Sequence, residues 1–221
     1  MTSSKIMSIV VATTNPGKLT ELRALLEDLP VEVLTVADVL GHVPPVVEDG
    51  ETFEANAQKK AREIANATQM VTLADDSGLE VDALGGRPGV RSARFAGEGA
   101  TDAENNAALL DMMQEVEDGQ RSARFRCTIA LCDPWAPDRS TVVAGRCEGS
   151  IARNPSGAGG FGYDPLFIVS GLDRTMAELS PEEKNRISHR ARALEAIRPM
   201  LEALVGQRIE DAARIVQPAA G

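Results

Sequence analysis

The sequence of 221 residues predicts an α/β fold built around a mixed β-sheet. Buried-strand and helix patterns alternate in the first part of the chain, whereas two long strand patterns follow each other directly further on. No stretch rich in glycine, serine or proline separates two independent units. We therefore expect one domain of two closely joined lobes over residues 1–205, and a C-terminal extension over residues 206–221 with a mobile end.

The first elements are indicated by residue type and spacing. Residues 6–12 form an uninterrupted run that is largely β-branched, which predicts a buried strand. Leucines at helical spacing predict a helix over 18–28, and a further β-branched segment predicts a short strand over 31–36. An alanine-rich segment predicts a helix over 52–66.

The middle of the chain continues this pattern. Residues 70–84, MVTLADDSGLEVDAL, predict a strand, a turn at 76–78 and a second short strand. Thr101 and Glu104 have the spacing of a capping box, so we expect a helix from there to about residue 116.

The last third contains the long adjacent strands. They are expected at 122–132 and 140–148, with the segment DPWAPDR as the turn between them. A glycine-rich segment, NPSGAGGFGYDP, leads into a strand over 166–169, and a helical region is predicted over 181–205. This combination favours a mixed sheet over a purely parallel one.

Composition excludes several classes of protein. Hydrophobic residues make up 43% of the chain, and no run of about eighteen apolar residues could form a membrane-spanning helix. We expect no signal peptide, and the three cysteines lack metal-ligand spacing, so we expect reduced thiols in a cytoplasmic protein. The net charge of −10 argues against a nucleic-acid polymer as partner but not against a single nucleotide.

The loop after the first strand, TTNPGK, has features of an anion site. It lacks the first glycine of a nucleotide P-loop, and Leu19 replaces the hydroxyl residue, so a P-loop kinase or ATPase is disfavoured. A helix N-terminus nevertheless presents free N–H groups, and Lys18 adds a full positive charge. The alternative is an ordinary helix start with a surface lysine.

Two acidic segments are candidates for a magnesium site. In LADDSG, Asp75 and Asp76 point to opposite sides of a strand, so one can bind Mg²⁺ while the other braces the turn. In VEDGETF, Glu48 precedes a helix, and Glu48 with Asp76 would supply the one or two carboxylates that Mg²⁺ usually takes. The alternatives are a common acidic turn and a solvated acid near a helix start.

Two further segments could face the same ligand. On the alanine-rich helix, Lys60 could point towards phosphate while Lys59 points elsewhere. In GAGGFGYDP, Phe161 or Tyr163 can stack on a base, and Asp164 can accept hydrogen bonds from ring nitrogens or ribose. The alternatives are a packing face and a glycine-rich connection with buried aromatic residues.

The segment LSPEEKNRISHR begins with a good helix start and then becomes basic. Lys184 and His189 are five positions apart, about 140° on a straight helix, so the helix must break if both face one ligand. Ser188 would then cap a second helix. Together with Arg190 these residues form a cationic cluster in an acidic protein, although a lone histidine is more often structural.

Five sequence blocks in this order resemble one known family. They are T-x-N-x-x-K, E-x-G-x-T-F-x-x-N-A, A-D-D-S-G-L, G-G-F-G-Y-D-P and E-K-N-x-x-S-H-R. The chain is similar over residues 10–201 to the inosine/xanthosine triphosphate pyrophosphatases, also called dITP/XTP or non-standard purine nucleoside triphosphatases. The resemblance implies an elongated, two-lobed α/β fold around a long mixed sheet, dimeric, with the nucleotide in the cleft between lobes.

The resemblance also implies an activity and a set of residues. The activity is Mg²⁺-dependent hydrolysis between the α- and β-phosphates, which gives a nucleoside monophosphate and pyrophosphate. The triphosphate would be held by Thr13, Thr14, Asn15, Pro16, Gly17, Lys18 and Lys60. The metal would be held by Glu48 and Asp76, with Asp76 the general base and Ser77 touching the substrate. Base and sugar would be held by Phe161, Gly162, Tyr163 and Asp164, and the base would be recognised by Lys184, His189 and Arg190.

The residues add a physical argument about selectivity. Lys184 and Arg190 would donate hydrogen bonds to the C6 oxygen of a deaminated purine and would oppose the amino group of adenine. Asp49 stands where the family often has threonine, which leaves open which of the two adjacent acids binds the metal. The alternatives are a pyrophosphatase with another base preference and a non-catalytic nucleotide sensor.

Overall fold

A six-stranded mixed β-sheet organises the computed structural model, which describes residues 6–136 and 140–216. The strands are β1 (Met7–Val11), β2 (Val31–Thr35), β3 (Thr72–Val81), β4 (Ser122–Cys132), β5 (Thr141–Ile151) and β6 (Phe167–Val169). Their order across the sheet is β2-β1-β3-β4-β5-β6. β1 pairs in parallel with β2 and β3, and the remaining pairs are antiparallel, so the predicted mixed α/β class is confirmed.

Apart from a short second helix that was not predicted, the helices lie close to the predicted positions. They are α1 (Pro16–Leu25), α2 (Val36–Leu40), α3 (Phe53–Thr68), α4 (Asp102–Met112), α5 (Pro181–Ile187) and α6 (His189–Val216). Short 3₁₀ turns occupy Asp82–Leu84, Gly89–Arg94, Asp118–Gln120, Asp164–Leu166 and Met176–Glu178. Within the described ranges, no helix has the length and apolar character needed to cross a membrane.

Side-chain caps fix where the helices begin. The predicted capping box of Thr101 and Glu104 starts α4, and the same arrangement of Ser180 and Glu183 starts α5. Asn15 caps α1 by accepting a hydrogen bond of 3.1 Å from the Lys18 amide. The loop after β1 therefore turns directly into a helix N-terminus.

The predicted turn at 76–78 is wrong. β3 continues through these residues, which pair with β4 at Thr128, Cys127 and Arg126. The ten paired positions of this ladder outweigh the local preference of Asp-Ser-Gly for a turn. Gly78 allows the backbone at Gly89 to approach β3 closely, because a β-carbon at Gly78 would lie 2.5 Å from the Gly89 carbonyl oxygen.

Helices cover both faces of the sheet at its β1–β3 end. On one face, α1 and α6 bury Leu22, Leu194 and Ile197 against β1 and β4. On the other, the alanine stripe of α3, including Ala57 and Ala61, packs on β1, β3 and β4 as predicted. A separate cluster around Leu79, Phe125 and Phe167 fills the other end of the sheet. Polar side chains near the ends of β1 and in β3 are thus held by packed elements on either side.

The C-terminal helical region breaks where the sequence predicts. α5 ends at Ile187, and Ser188 is extended, with φ −66° and ψ 158°. Its hydroxyl accepts a hydrogen bond of 3.2 Å from the Ala191 amide and so caps α6. α6 is longer than predicted and extends to Val216, and Arg208 forms an ion pair of 2.6 Å with Asp133. The tail QPAAG lies outside the described residues.

Candidate active site

A cavity of about 690 Å³ opens at the carboxyl end of β1. Its walls come from the loop after β1, from α3 and β3, from the glycine-rich segment, and from the junction of α5 and α6. The predicted site residues that line it are Thr13, Thr14, Asn15, Lys18, Glu48, Lys60, Asp76, Ser77, Phe161, Gly162, Tyr163, Asp164, Lys184, His189 and Arg190. The structure therefore brings together residues from all five sequence blocks.

Pro16 and Gly17 do not line the cavity but support its wall. Pro16 occupies the first helical position of α1, where its missing N–H is no loss. A β-carbon on Gly17 would overlap the ring of Phe161. The glycine thus allows the phenyl ring of the glycine-rich segment to rest on the start of α1.

Asp76 is a buried carboxylate that faces the cavity. Its Oδ2 accepts a hydrogen bond of 3.1 Å from the Asn56 amide, and its Oδ1 accepts one of 3.0 Å from the Ser77 backbone. Burial raises the pKa of Asp76, while the positive charges of Lys18 and Lys60 act in the opposite direction. This carboxylate is thus held in place with two cations nearby.

Glu48, and not Asp49, is the acid that faces the cavity. Glu48 forms an ion pair of 2.9 Å with Lys60, and its backbone carbonyl accepts a hydrogen bond of 3.1 Å from Arg94. Asp49 is exposed and pairs with Lys59 at 2.7 Å. The two neighbouring lysines therefore point to different places, as their helical spacing predicts.

Asp75 lies beneath the cavity as a counter-ion. Its Oδ2 is 3.1 Å from the Lys18 ammonium and 3.2 Å from the Arg190 guanidinium. It also accepts a hydrogen bond of 3.1 Å from the Ser77 hydroxyl. These charges hold the pKa of Asp75 well below its usual range against the effect of complete burial. Asp75 is therefore ionised and fixes the positions of two cations.

The basic end of the cavity contains an acid that the sequence did not reveal. Lys184 forms ion pairs of 2.7 Å with Glu21 and 2.5 Å with Asp164. Arg190 also forms an ion pair with Glu21. Glu21 gave no sequence signal because it reads as an ordinary polar position on an amphipathic helix, 169 residues away from Arg190.

His189 is not part of a cationic cluster, contrary to the prediction. Its ring stacks on Phe125, with centroids 4.9 Å apart, and is buried. Burial, together with the charges of Arg190 and Lys184, lowers the pKa of His189 well below its usual range, so the imidazole is neutral at pH 7. The cations at this end are Lys184 and Arg190.

Phe161 and Tyr163 differ in their availability to a ligand. The Phe161 ring lies 4.9 Å from the Lys184 ammonium and 5.7 Å from the centre of the Arg190 guanidinium. The Tyr163 hydroxyl donates a hydrogen bond of 2.8 Å to the Ser92 carbonyl and is buried. Asp164 accepts from the Phe161 amide at 2.9 Å as well as from Lys184. Phe161 is therefore the ring placed for stacking.

Three further residues to which the sequence analysis gave no role hold the site together. Asn56 links Asp76 to Gly50, whose amide donates to its side chain at 2.7 Å. Asp102 accepts a hydrogen bond of 2.7 Å from the Gly162 amide, and Asn106 donates one of 2.8 Å to the Gly162 carbonyl. The capping box identified the start of α4 but did not indicate that this helix supports the glycine-rich segment.

The chain resembles several known proteins in sequence and in structure. A model of the Ham1 family matches residues 9–200. The dITP/XTP pyrophosphatase of Geobacter sulfurreducens is 52% identical over 193 residues, which cover 87% of this chain and 96% of that protein. The dITP/XTP pyrophosphatase of Bacillus subtilis is 47% identical over 194 residues, covering 88% and 96% respectively.

Solved structures agree with these sequence relatives. A HAM1 protein from Coxiella burnetii matches with a TM-score of 0.81 and 45% identity, covering 89% of this chain and 99% of that one. A nucleoside-triphosphatase/dITP/XTP pyrophosphatase from Mycobacterium abscessus matches with a TM-score of 0.70 and 49% identity, covering 86% and 98%. Both likenesses extend over nearly the whole of the compared chains.

Proposed function

The chain belongs to the Ham1 family, and we propose that it hydrolyses dITP, ITP, dXTP and XTP to the monophosphate and pyrophosphate. One observation carries this proposal. The cavity places two carboxylates, Glu48 and Asp76, beside the ammonium groups of Lys18 and Lys60, and the Phe161 ring, Lys184 and Arg190 line the same cavity. The reaction would remove deaminated purine nucleotides from the nucleotide pool.

The triphosphate would lie along the start of α1. The positive end of the α1 dipole and the Lys18 ammonium would form an anion site, to which Thr13 and Thr14 add hydroxyl groups. Lys60 faces the same space from α3 and also donates to the Asp75 carbonyl at 3.1 Å. Two lysines from different elements would thus neutralise charge that develops during attack at phosphorus.

The donor set of Glu48 and Asp76 fits a hard divalent cation. The two acids are near enough that the Glu48 charge contributes to the raised pKa of Asp76. The described residues contain no cluster of three or more such ligands, which agrees with a metal held by one or two carboxylates and by substrate phosphate. Mg²⁺ bound there would neutralise phosphate charge and lower the pKa of water.

Asp76 is the proposed general base. Its hydrogen bonds from Asn56 and Ser77 fix the carboxylate, which would take the proton of the attacking water. Attack by water on the α-phosphorus breaks its bond to the bridging oxygen and releases pyrophosphate. The buried cysteines are unsuitable as nucleophiles, because burial raises the pKa of Cys127 to about 12 and also raises the pKa of Cys132 and Cys147.

The base would lie against Phe161 with its six-membered ring directed at Lys184 and Arg190. Both side chains carry donors at the cavity, which suit the C6 oxygen of hypoxanthine and xanthine. The 6-amino group of adenine would place donors against donors. Leaving a buried polar group without a partner in this way costs roughly 1–3 kcal/mol of binding free energy. His189 and Asp164 would complete this wall.

We also propose that the protein acts as a homodimer in the cytoplasm. The family resemblance supports the homodimer. Three buried free cysteines suit a reducing compartment and so support the cytoplasm. Chromatographic separation of the products from dITP tests the reaction, because pyrophosphate and single phosphate are distinct products. Sedimentation at several protein concentrations tests the dimer.

A further inference from the structure

A continuous series of ion pairs lies beneath the cavity and alternates in charge at every step. In order it consists of Asp164, Lys184, Glu21, Arg190, Asp75 and Lys18. None of these side chains is more than 15% exposed. Glu21 is the middle acid, and it does not line the cavity, so it acts on a ligand only through its two partners.

The ion pairs leave Lys184 with one donor for a ligand. A lysine ammonium has three N–H groups. One donates to Glu21 at 2.7 Å and another to Asp164 at 2.5 Å. The count of acceptors covers the described residues. The third is left for the cavity, which Lys184 lines.

Arg190 is constrained in the same way. A guanidinium has five N–H groups. Nε and Nη2 donate to Asp75 at 3.3 and 3.2 Å, and Nη2 also donates to the Ser77 hydroxyl at 3.0 Å. Nη1 donates to Glu21. Among the described residues this accounts for all but one N–H, on Nη1, and Arg190 also lines the cavity.

Glu21 therefore takes one N–H from each cation and leaves one on each. The one remaining N–H on each of these cavity-lining cations could be accepted by a carbonyl oxygen, which has two lone pairs, whereas an exocyclic amine offers them no acceptor. A buried donor that meets no acceptor on the ligand costs free energy. Donors held in fixed positions therefore distinguish a 6-oxo from a 6-amino purine more strongly than donors that can move. We propose that Glu21 is a positioning residue that sets the selectivity for 6-oxo over 6-amino purines. This inference rests on the proposed function.

Glu21→Gln tests the inference. The carboxamide keeps the size of the side chain but presents an acceptor on one side only, so its NH₂ group would face one of the two cations. That cation would lose its fixed orientation. We expect the ratio of kcat/KM for dITP to that for dATP to fall tenfold or more, mostly through a higher KM for dITP. Both substrates should still give pyrophosphate.

Two further variants keep the test decisive. Glu27→Gln makes the same substitution at an exposed position just after α1 and should leave the ratio unchanged. Glu21→Asp retains the charge but shortens the reach, so its ratio should lie between those of the wild type and Glu21→Gln. The ratio does not depend on the folded fraction of a sample, because one preparation is measured with both substrates.

The outcomes separate this inference from the function on which it rests. If the wild type does not prefer dITP, the proposed function itself fails. If the wild type prefers dITP and Glu21→Gln keeps the same ratio, the function stands and the role of Glu21 is wrong. If Glu21→Gln yields no folded protein, a Glu21→Asp ratio equal to that of the wild type contradicts the inference, and a ratio below that of the wild type supports it.

Discussion

Lys18 and Asp75 form a buried ion pair, with 3.1 Å between the ammonium nitrogen and Oδ2. The pair joins the first turn of α1 to the middle of β3, so it holds the proposed phosphate site against the central strand. Asp75 also pairs with Arg190 through the same oxygen, at 3.2 Å. A single carboxylate oxygen thus positions two cations side by side, one proposed to bind phosphate and one proposed to recognise the base.

Replacing Asp75 should therefore destabilise the protein. Asp75→Asn removes the counter-ion of Lys18 and one of the two acids that pair with Arg190, and breaking such a buried pair costs roughly 3–5 kcal/mol in the free energy of unfolding. Urea denaturation at pH 7 measures this difference. Asp49→Asn, at an exposed acid paired with Lys59, is the matched control and should change the free energy of unfolding by less than about 1 kcal/mol. An equal loss in both variants would contradict the counter-ion role.

The contribution of Asp75 should also depend on pH. Its pKa in the folded protein lies below the ordinary value of 3.8, so the unfolded chain binds its proton at a higher pH. The stabilisation is therefore complete above about pH 5 and is lost as the pH falls through and below 4. Denaturation curves at pH 7, 5 and 3.5 should show the gap between wild type and Asp75→Asn narrowing on acidification. A gap that widens on acidification would refute the assignment.

Gly17→Ala should weaken substrate binding without weakening the fold. A β-carbon at this position overlaps the Phe161 ring, which must shift away from its place at the cavity. We expect KM for dITP to rise about tenfold, while the cost of moving the ring offsets the roughly 0.5–1 kcal/mol that alanine adds to the free energy of unfolding in a helix. Steady-state kinetics and thermal denaturation measure the two effects.

The control for this substitution lies in α6. Gly206→Ala adds a methyl group in a helix where no atom lies within 4 Å. It should raise the free energy of unfolding by about 0.5–1 kcal/mol, as alanine does in a helix, and leave KM unchanged. A normal KM in Gly17→Ala would show that the Phe161 ring position is unimportant for binding.

Two adjacent lysines offer a matched pair for the phosphate site. Lys60→Met removes a charge at the cavity and should lower kcat/KM for dITP about a hundredfold. Lys59→Met removes the same charge from a side chain that pairs with Asp49 outside the cavity. It should change kcat/KM by less than about threefold, because an exposed ion pair contributes little. Equal effects in the two variants would place the triphosphate elsewhere.

Glu48 and Asp49 provide a similar comparison for the metal. Glu48→Gln should raise the Mg²⁺ concentration needed for half-maximal activity by about tenfold or more, since a neutral amide is a poorer ligand for a hard cation. Asp49→Asn should leave that concentration unchanged because its side chain points to Lys59. Titration of activity with Mg²⁺ measures both. A shift in Asp49→Asn alone would reverse the assignment.

The sequence predicted the features that depend on neighbouring residues. The capping box of Thr101 and Glu104, the interruption at Ser188 and the strand Ser122–Cys132 follow from local spacing, and all are confirmed. The turn at 76–78 failed because pairing with a distant strand overrode the local preference.

The site was predicted as a set of residues but not as a network. The five blocks identified the side chains that line the cavity, because those side chains have unusual types or spacing. Glu21 and Arg94 were missed, since an acid or a base on a polar segment is ordinary until the fold shows its partner. The neutral state of His189 also follows from burial, which local sequence does not reveal.

The most direct test of the proposed reaction is product analysis with wild type and Asp76→Asn. Each is incubated with Mg²⁺ and dITP, XTP, dGTP or dATP, and the products are separated by chromatography. The proposal predicts monophosphate plus pyrophosphate from dITP and XTP in preference to dATP and dGTP, and a loss of about a thousandfold or more in Asp76→Asn. Release of single phosphate, equal turnover of dATP, or full activity in Asp76→Asn would contradict it.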